Sequence, residues 1–432
     1  MIVSKLPAVQ DRLAHPNPVS NPSHPAIFRI PTRSWIILGL AFAAGFLNYV
    51  DRQTLAVLKA TLKESLSLND TQYGHLVTAF MVPYIAFYVI SGRLVDRWGT
   101  RFGMTAFVAV WSIANAASGL ASGLGTMIGA RAMLGAAEPG FFPAMLRTVM
   151  RWFPHERRAF ALSLMSPVST VASIVAPALI AWLTHHGSWR FAFWIPGVAG
   201  LLIAAAWWSA DRDPPEFPAK AGEAAPAVTP LPVLLRDRRV WGLIAVRMIT
   251  DPVFYFHLFW LPGYMQEKLG LSLPQLGAVG WIPSLVACAT IIAAGRWSDA
   301  KVAAGAAILP TRMKLFVLSS FLAPIGALTT FAPNIAVAFV IITLVTIVAQ
   351  MWFFSYGVVV SELFPGGAGS VTGIIGACGA TGGLIMNVVS GPIIQNVGYA
   401  PVFIVLAFLH PIGALILTRI LQAKTQPALP AG

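Results

Sequence analysis

Gly92-Arg93-Leu94-Val95-Asp96-Arg97-Trp98-Gly99-Thr100-Arg101 is a charged stretch set between two apolar runs, 71–95 and 104–121. A helix needs about 20 apolar residues to cross a bilayer core, and both runs approach that length. Gly92 and Gly99 permit close backbone approach and a tight turn. Asp96 can pair with the surrounding arginines or sit at a helix N-terminus. A shortened echo, Gly295-Arg296-Trp297-Ser298-Asp299, closes another apolar run further along the chain. A charged turn between two spans, with its echo in the second half, predicts an all-α membrane protein built from parallel repeats.

Composition agrees. The 432 residues are 57% hydrophobic and only 10% charged, against about 25% charged in a soluble domain, and mean hydropathy is +0.72. Twelve spans are expected, at 35–58, 71–95, 104–121, 125–149, 159–183, 190–210, 240–266, 275–297, 313–331, 335–363, 370–394 and 402–421. Residues 211–238 carry Pro214, Pro215, Pro218, Pro226, Pro230 and Pro232 and read as a cytoplasmic linker. It divides a six-helix bundle at 34–210 from another at 239–422. Residues 1–33 are expected to be a disordered cytoplasmic lead-in with no signal-peptide pattern, and 423–432 a cytoplasmic tail.

The chain carries a formal charge of +13. In a soluble protein that would suggest nucleic acid; here most of it is topological. Of the 29 Lys and Arg, 22 fall in the termini and the loops on their side, while Lys59, Lys63, Arg190 and Lys268 lie on the other. By the positive-inside rule both termini are cytoplasmic. Trp35, Trp189, Trp207, Trp208 and Trp241 lie near span ends, where interfacial belts are expected. Cys288 and Cys378 sit in apolar runs without a metal or redox spacing and read as buried thiols.

The remaining basic residues, Arg52, Arg131 and Arg247, are inside spans, close in sequence to Asp51, Glu138 and Asp251. Charge inside a span is costly and usually functional. Asn48, Tyr49 and Arg52 share a helix face. The planar guanidinium suits a carboxylate because it binds two oxygens at once; the alternative is an ion pair that only holds the bundle together. Arg131 and Glu138 are two helical turns apart, about 10 Å along one face. Burial and a nearby arginine pull the protonation of such a carboxyl in opposite directions, so an arriving anion could switch it; a static ion-pair network is the alternative.

In span seven, Arg247 and Asp251 form an i, i+4 pair ahead of Pro252, which bends the helix. Tyr255 and Trp260 beyond it are candidate stacking faces for a sugar ring, or plain packing. Asn387 could bond substrate hydroxyls or a neighbouring helix, and Gln350 is a similar amide in span ten. His75 reads as an interfacial residue, and Glu362 as a gate or latch partner of inner arginines.

The 92–101 stretch resembles the cytoplasmic signature of the major facilitator superfamily. Within it the chain is similar to the anion:cation symporter family at Asn48-Tyr49-Val50-Asp51-Arg52, Arg131-x-x-x-Gly135-x-x-Glu138-x-x-x-x-Pro143, Trp152-Phe153-Pro154-x-Glu156-Arg157, Trp189-Arg190-x-Ala192-Phe193 and Glu362-Leu363-Phe364-Pro365. Asp251-Pro252-Val253-Phe254-Tyr255-Phe256-x-x-Phe259-Trp260-Leu261-Pro262 looks most like the hexuronate transporters. The resemblance implies proton-coupling carboxylates at Asp51 and Glu138, with Arg131 as the glutamate's partner. It implies substrate contact at Tyr49, Arg52 and Tyr84, and often at a residue placed like Asn387. It implies a conformational latch through Gly92, Asp96, Arg97, Gly99 and Arg101, to which Asp299 and Glu362 are added here as partners.

The expected function is import of an organic acid anion, a hexuronate first, by proton symport across a bacterial inner membrane. Other carboxylates (an aldonate, glucarate, an aromatic acid such as phthalate) and a drug/proton antiporter are the alternatives; two cavity cations favour an anion. The expected partners are the acid, protons and lipid, with no nucleic acid, cofactor or metal, and the chain is expected to act as a monomer. No P-loop and no H-E-x-x-H or G-x-S-x-G set occurs, so ATP-driven pumping and these enzyme classes are disfavoured.

Overall fold

The computed structural model describes residues 30–165, 167–212, 231–306, 308–364 and 368–422. Among them the chain is helical throughout. The first part runs α1 Thr32–Val57, α2 Lys59–Ser65, α3 Asp70–Gly119, α4 Leu124–Ala137, a 3-10 turn at Glu138–Gly140, α5 Phe141–Trp152, α6 His155–Met165, α7 Val168–His185 and α8 Phe191–Ala210. The second runs α9 Leu231–Arg236, α10 Arg238–Phe259, α11 Leu261–Glu267, α12 Leu273–Val279, α13 Ile282–Ala303, α14 Ile308–Ser320, a 3-10 segment at Ala323–Phe331, α15 Ile335–Leu363, α16 Ala368–Asn396 and α17 Ala400–Gln422.

Ten segments of the described residues are long and apolar enough to cross a bilayer. The expected spans at 71–95 and 125–149 are helical but fall outside that set, for local reasons. The first is the leading part of α3, which continues past the charged stretch as one 50-residue element and departs from helical geometry inside only at Gly99 (φ 76, ψ 169). That conformation is open essentially to glycine alone. The second is split where α4 ends and Pro139 leads into α5 through the 3-10 turn, because proline has no N–H to continue the ladder. Polar caps begin other helices: Asn69 and Gln72 close a capping box on α3, Ser272 and Gln275 another on α12, and Asn334 caps α15, each satisfying otherwise orphaned amides.

Large apolar side chains point both ways, as lipid requires. Trp111, Trp152, Trp207 and Trp260 are buried, while Leu202, Phe321, Val340 and Leu415 are exposed. The tryptophan belt is reduced to Trp35, Trp208 and Trp241, which are exposed; Trp189 and Trp207 are buried, Trp189 edge-on to Phe193. Helix α1 packs on α7 and α8, α3 on α4 and α8, and α10 on α15, α16 and α17. The two parts of the chain meet where α3 lies on α16 and α7 on α12. Cys288 and Cys378 are free thiols.

Candidate functional site

A cavity of about 570 Å³ opens between α1, α3, α7, α10, α15 and α16, with Tyr49, Arg52, Tyr84, Arg247, Tyr255 and Gln350 among its lining residues. That volume is ordinary for a small-molecule site. Tyr49, Arg52, Tyr84 and Tyr255, all expected from sequence, therefore share one wall system.

Arg52 is the cation that α1 brings to this wall. Its Nε donates to Glu138 Oε2 at 2.6 Å and its Nη2 to Asn48 Oδ1 at 2.9 Å. The Asn48 contact is the i, i+4 neighbour expected on one helix face. The guanidinium lies 4.7 Å from the Tyr84 ring and 5.2 Å from that of Tyr49, distances at which cation–π attraction operates. Nη1 makes no hydrogen bond among the described residues, so one arm of the fork is open to a ligand.

Glu138 is fully buried at the break between α4 and α5, and its Oε1 has no hydrogen-bond partner among the described residues. Its direct ion-pair partner is Arg52, not Arg131. Helix α4 passes into a 3-10 turn at Glu138 with right-handed helical backbone on both sides, and no hydrogen bond or ion pair joins Glu138 to Arg131 among the described residues. Arg131 is also fully buried. None of its three nitrogens has a hydrogen-bond partner among the described residues, and it packs 5.0 Å over Phe80. Asp51 points away from Arg52: its Oδ1 accepts from Asn115 Nδ2 at 2.8 Å, while the same amide donates to the Phe193 carbonyl at 3.1 Å. Asn115 was not singled out from sequence, although an amide inside the third apolar run was the visible signal.

Two expected ligand residues are otherwise engaged. Trp260 Nε1 donates to Asn387 Oδ1 at 2.9 Å. Asn387 Nδ2 donates to the Gly74 carbonyl and to Thr78 Oγ1, each at 3.0 Å. The amide is spent on joining α16 to α3, its helix–helix alternative. Trp260 is 1% exposed, packed edge-on against Tyr73.

The charged 92–101 stretch is held by the first part of the chain. Asp96 pairs with Arg147 at 2.6 Å, and Arg101 donates to the Trp208 carbonyl at 2.8 Å. Thr100 donates to Asp211 at 2.6 Å, and Asp211 also accepts from Trp152 Nε1 at 2.7 Å. Arg97 and Asp96 are exposed, and Gly92 is half-buried. The side chains of Asp299 and Glu362 lie outside the described set. His75 is exposed, consistent with an interfacial position.

A second charged cluster joins the two parts of the chain. Lys59, fully buried, contacts Asp70 at 2.7 Å, Glu267 at 3.0 Å and the Tyr399 hydroxyl at 2.6 Å. Lys63 bridges the same carboxylates at 3.1 and 2.9 Å. Burial pushes the Lys59 ammonium below its ordinary range despite both partners. Burial would raise the Asp70 carboxyl, but Lys59 and Lys63 outweigh it and hold Asp70 below the usual carboxylate range. From sequence these were only scattered loop charges; their meeting depends on the packing of α2 against α11.

A polytopic helical chain enclosing a cavity with charged walls has the build of a membrane transporter. The comparisons make the class specific. The chain belongs to the Major Facilitator Superfamily, whose sequence model matches residues 41–385. It is 25% identical over 413 residues to the hexuronate transporter of Escherichia coli (strain K12), covering 90% of this chain and 94% of that one. It is 26% identical over 393 residues to the same strain's probable galactarate/D-glucarate transporter GarP, covering 82% and 85%. The crystal structure of a bacterial homolog to the human lysosomal transporter Spinster, inward-facing and unoccupied, shares the fold with a TM-score of 0.72 at 19% identity. That match covers 93% of this chain and all (100%) of that one.

Proposed function

We propose that the protein is a proton-coupled symporter that imports a sugar acid anion, a hexuronate first, by alternating access across a bacterial inner membrane. The observation that carries this reading is Arg52, which lines the cavity while its one close counter-ion, Glu138, is fully buried behind it. A substrate carboxylate entering the cavity competes with Glu138 for the guanidinium. Once displaced, Glu138 either takes a proton or turns to Arg131, whose nitrogens have no hydrogen bonds of their own among the described residues. Tyr49 and Tyr84 flank the bound acid. Asp51, held by Asn115, is the second proton carrier.

Proton coupling has an electrostatic reason. Moving one negative charge into a negative cell costs about 2.3 kcal/mol per 100 mV; one accompanying proton cancels that charge, and two make uptake electrogenic and inward-driven. The relatives named for hexuronate and for galactarate/glucarate support a sugar acid. Twelve passes in two six-helix bundles, with the termini cytoplasmic, fit the charge asymmetry. In that orientation α1 ends outside, so the Lys59–Glu267 cluster closes the outer face. The chain works as a monomer with the proton as its coupling ion and no cofactor.

Purified protein in proteoliposomes tests this directly. An inward proton gradient is expected to drive accumulation of labelled galacturonate or glucuronate. No accumulation of any hexuronate, aldonate or aldarate would refute the reading.

A further inference from the structure

Asn115 is a fully buried amide in the second half of α3, and its side-chain nitrogen joins three helices. Nδ2 donates to Asp51 Oδ1 of α1 at 2.8 Å and to the Phe193 carbonyl of α8 at 3.1 Å. Both partners are acceptors, so the NH2 group has to face them. The amide oxygen turns away and has no hydrogen-bond partner among the described residues. Turning that oxygen toward Asp51 would cost the bond to Phe193. The two backbones are also pressed together here. A Cβ on Gly197 of α8 would stand 2.9 Å from the Ser112 carbonyl, and one on Gly200 2.0 Å from Ser112 Oγ; Ser112 lies about one turn before Asn115 on α3. Two side chains absent from α8 thus seat the amide in a fixed place.

Asp51 depends on this contact. It is buried, and its carboxylate accepts one hydrogen bond among the described residues, the one from Asn115. The charges within its electrostatic reach are Arg52 on α1, Arg131 on α4 and Glu138 in the turn that follows; α3, α7 and α8 bring no titratable group to it among the described residues. The Arg52 guanidinium is itself engaged by Glu138 and Asn48. What holds Asp51 is therefore an uncharged donor. An ion pair would fix a carboxylate in its charged form, whereas a neutral amide bonds it at about half that strength and lets the charge come and go.

We infer that Asn115 is a positioning residue for proton transfer at Asp51, occupying Oδ1 so that Oδ2 is the oxygen that takes up and releases the proton. On uptake an O–H bond forms at Oδ2 and the carboxylate charge is lost, while Oδ1 goes on accepting from the amide as the carbonyl oxygen of the acid. On release that O–H bond breaks, its electron pair stays on Oδ2, and the amide N–H steadies the returning charge. This inference rests on the proposed role of Asp51 as a proton carrier and adds the group that directs it.

The test is the pH profile of galacturonate exchange in proteoliposomes held at equal pH on both sides, with the pH of half-maximal exchange as the readout. Asn115→Leu keeps the size of the side chain and removes its donor. Its midpoint should move to higher pH by about one unit, a tenfold change in proton concentration, the worth of a lost hydrogen bond to a charged group. Asn115→Ala gives the same readout where the leucine variant does not fold. A role confined to joining helices would lower the rate or the yield of folded protein without moving the midpoint. In an Asp51→Asn background, Asn115→Leu should move nothing further, because the group it acts through is gone. An unmoved midpoint in a folded Asn115 variant, or an equal shift with and without the Asp51 carboxyl, overturns the inference alone. An Asp51→Asn profile identical to wild type removes Asp51 as a proton carrier, and a wild-type protein that does not exchange galacturonate refutes the sugar-acid reading; this inference falls with either.

Discussion

Arg52→Lys separates charge from geometry at the proposed binding group. The native guanidinium makes two hydrogen bonds from separate nitrogens, to Glu138 at 2.6 Å and Asn48 at 2.9 Å, and its plane faces the Tyr84 ring at 4.7 Å. Lysine keeps the positive charge and so leaves no bare buried carboxylate, whose cost would confuse an alanine substitution. It cannot present a planar fork. A substrate carboxylate bound by two parallel N–H bonds would keep one. The lost charged hydrogen bond is worth about 1.5–3 kcal/mol, which at about 1.4 kcal/mol per decade is roughly a 10- to 150-fold rise in Kd. Calorimetric titration of galacturonate into detergent-purified protein measures it, with thermal unfolding confirming that the variant is folded. A folded Arg52→Lys protein whose Kd is within twofold of wild type would refute the assignment of Arg52 to substrate.

Other outcomes follow from the same geometry. Asn387→Ala removes three hydrogen bonds that join α16 to α3 and Trp260; at about 0.6 kcal/mol per bond in membrane bundles, it should lower the unfolding temperature by a few degrees while leaving galacturonate Kd unchanged. Lys59→Met leaves Glu267 and Asp70 with Lys63 as their one remaining cation at the contact between the two parts of the chain. It should shift the population toward an outer-open state, read as faster labelling of a cysteine placed beside Tyr73. Because Asp70 is held below its ordinary range, its contribution to that closure is full above the usual carboxylate range and fades as pH falls through the lowered value; the same labelling should quicken in acid. Gly99→Ala forces a side chain into the glycine-only conformation at φ 76, costing about 1–3 kcal/mol; an unfolding midpoint equal to wild type would contradict that.

Periodicity and charge were enough to read the helical membrane fold, because lipid leaves few alternatives to apolar helices. They also placed Asn48, Tyr49 and Arg52 on one helix face, but they paired Glu138 with Arg131 and did not bring it to Arg52. Partners were harder. Glu138 bonds Arg52 of α1 and not Arg131 of its own helix, a contact between helices that residue spacing along one helix does not show. Asn115 and the Lys59–Asp70–Glu267 group depend on which helices become neighbours, and nothing local encodes that. Asn387 and Trp260 were open between packing and binding, and their bond to each other was not among the readings that spacing offered. The tryptophans illustrate the same limit: Trp207 and Trp208 are adjacent at one span end, yet one is buried and the other exposed.

The central claim is that Glu138 couples proton movement to substrate movement, and Glu138→Gln in proteoliposomes tests it most directly. Glutamine keeps the shape and can still accept a bond from Arg52, but it cannot carry a proton. The account predicts loss of accumulation driven by a proton gradient, with substrate exchange between the two sides at zero gradient retained. Accumulation at the wild-type level in that variant would contradict it.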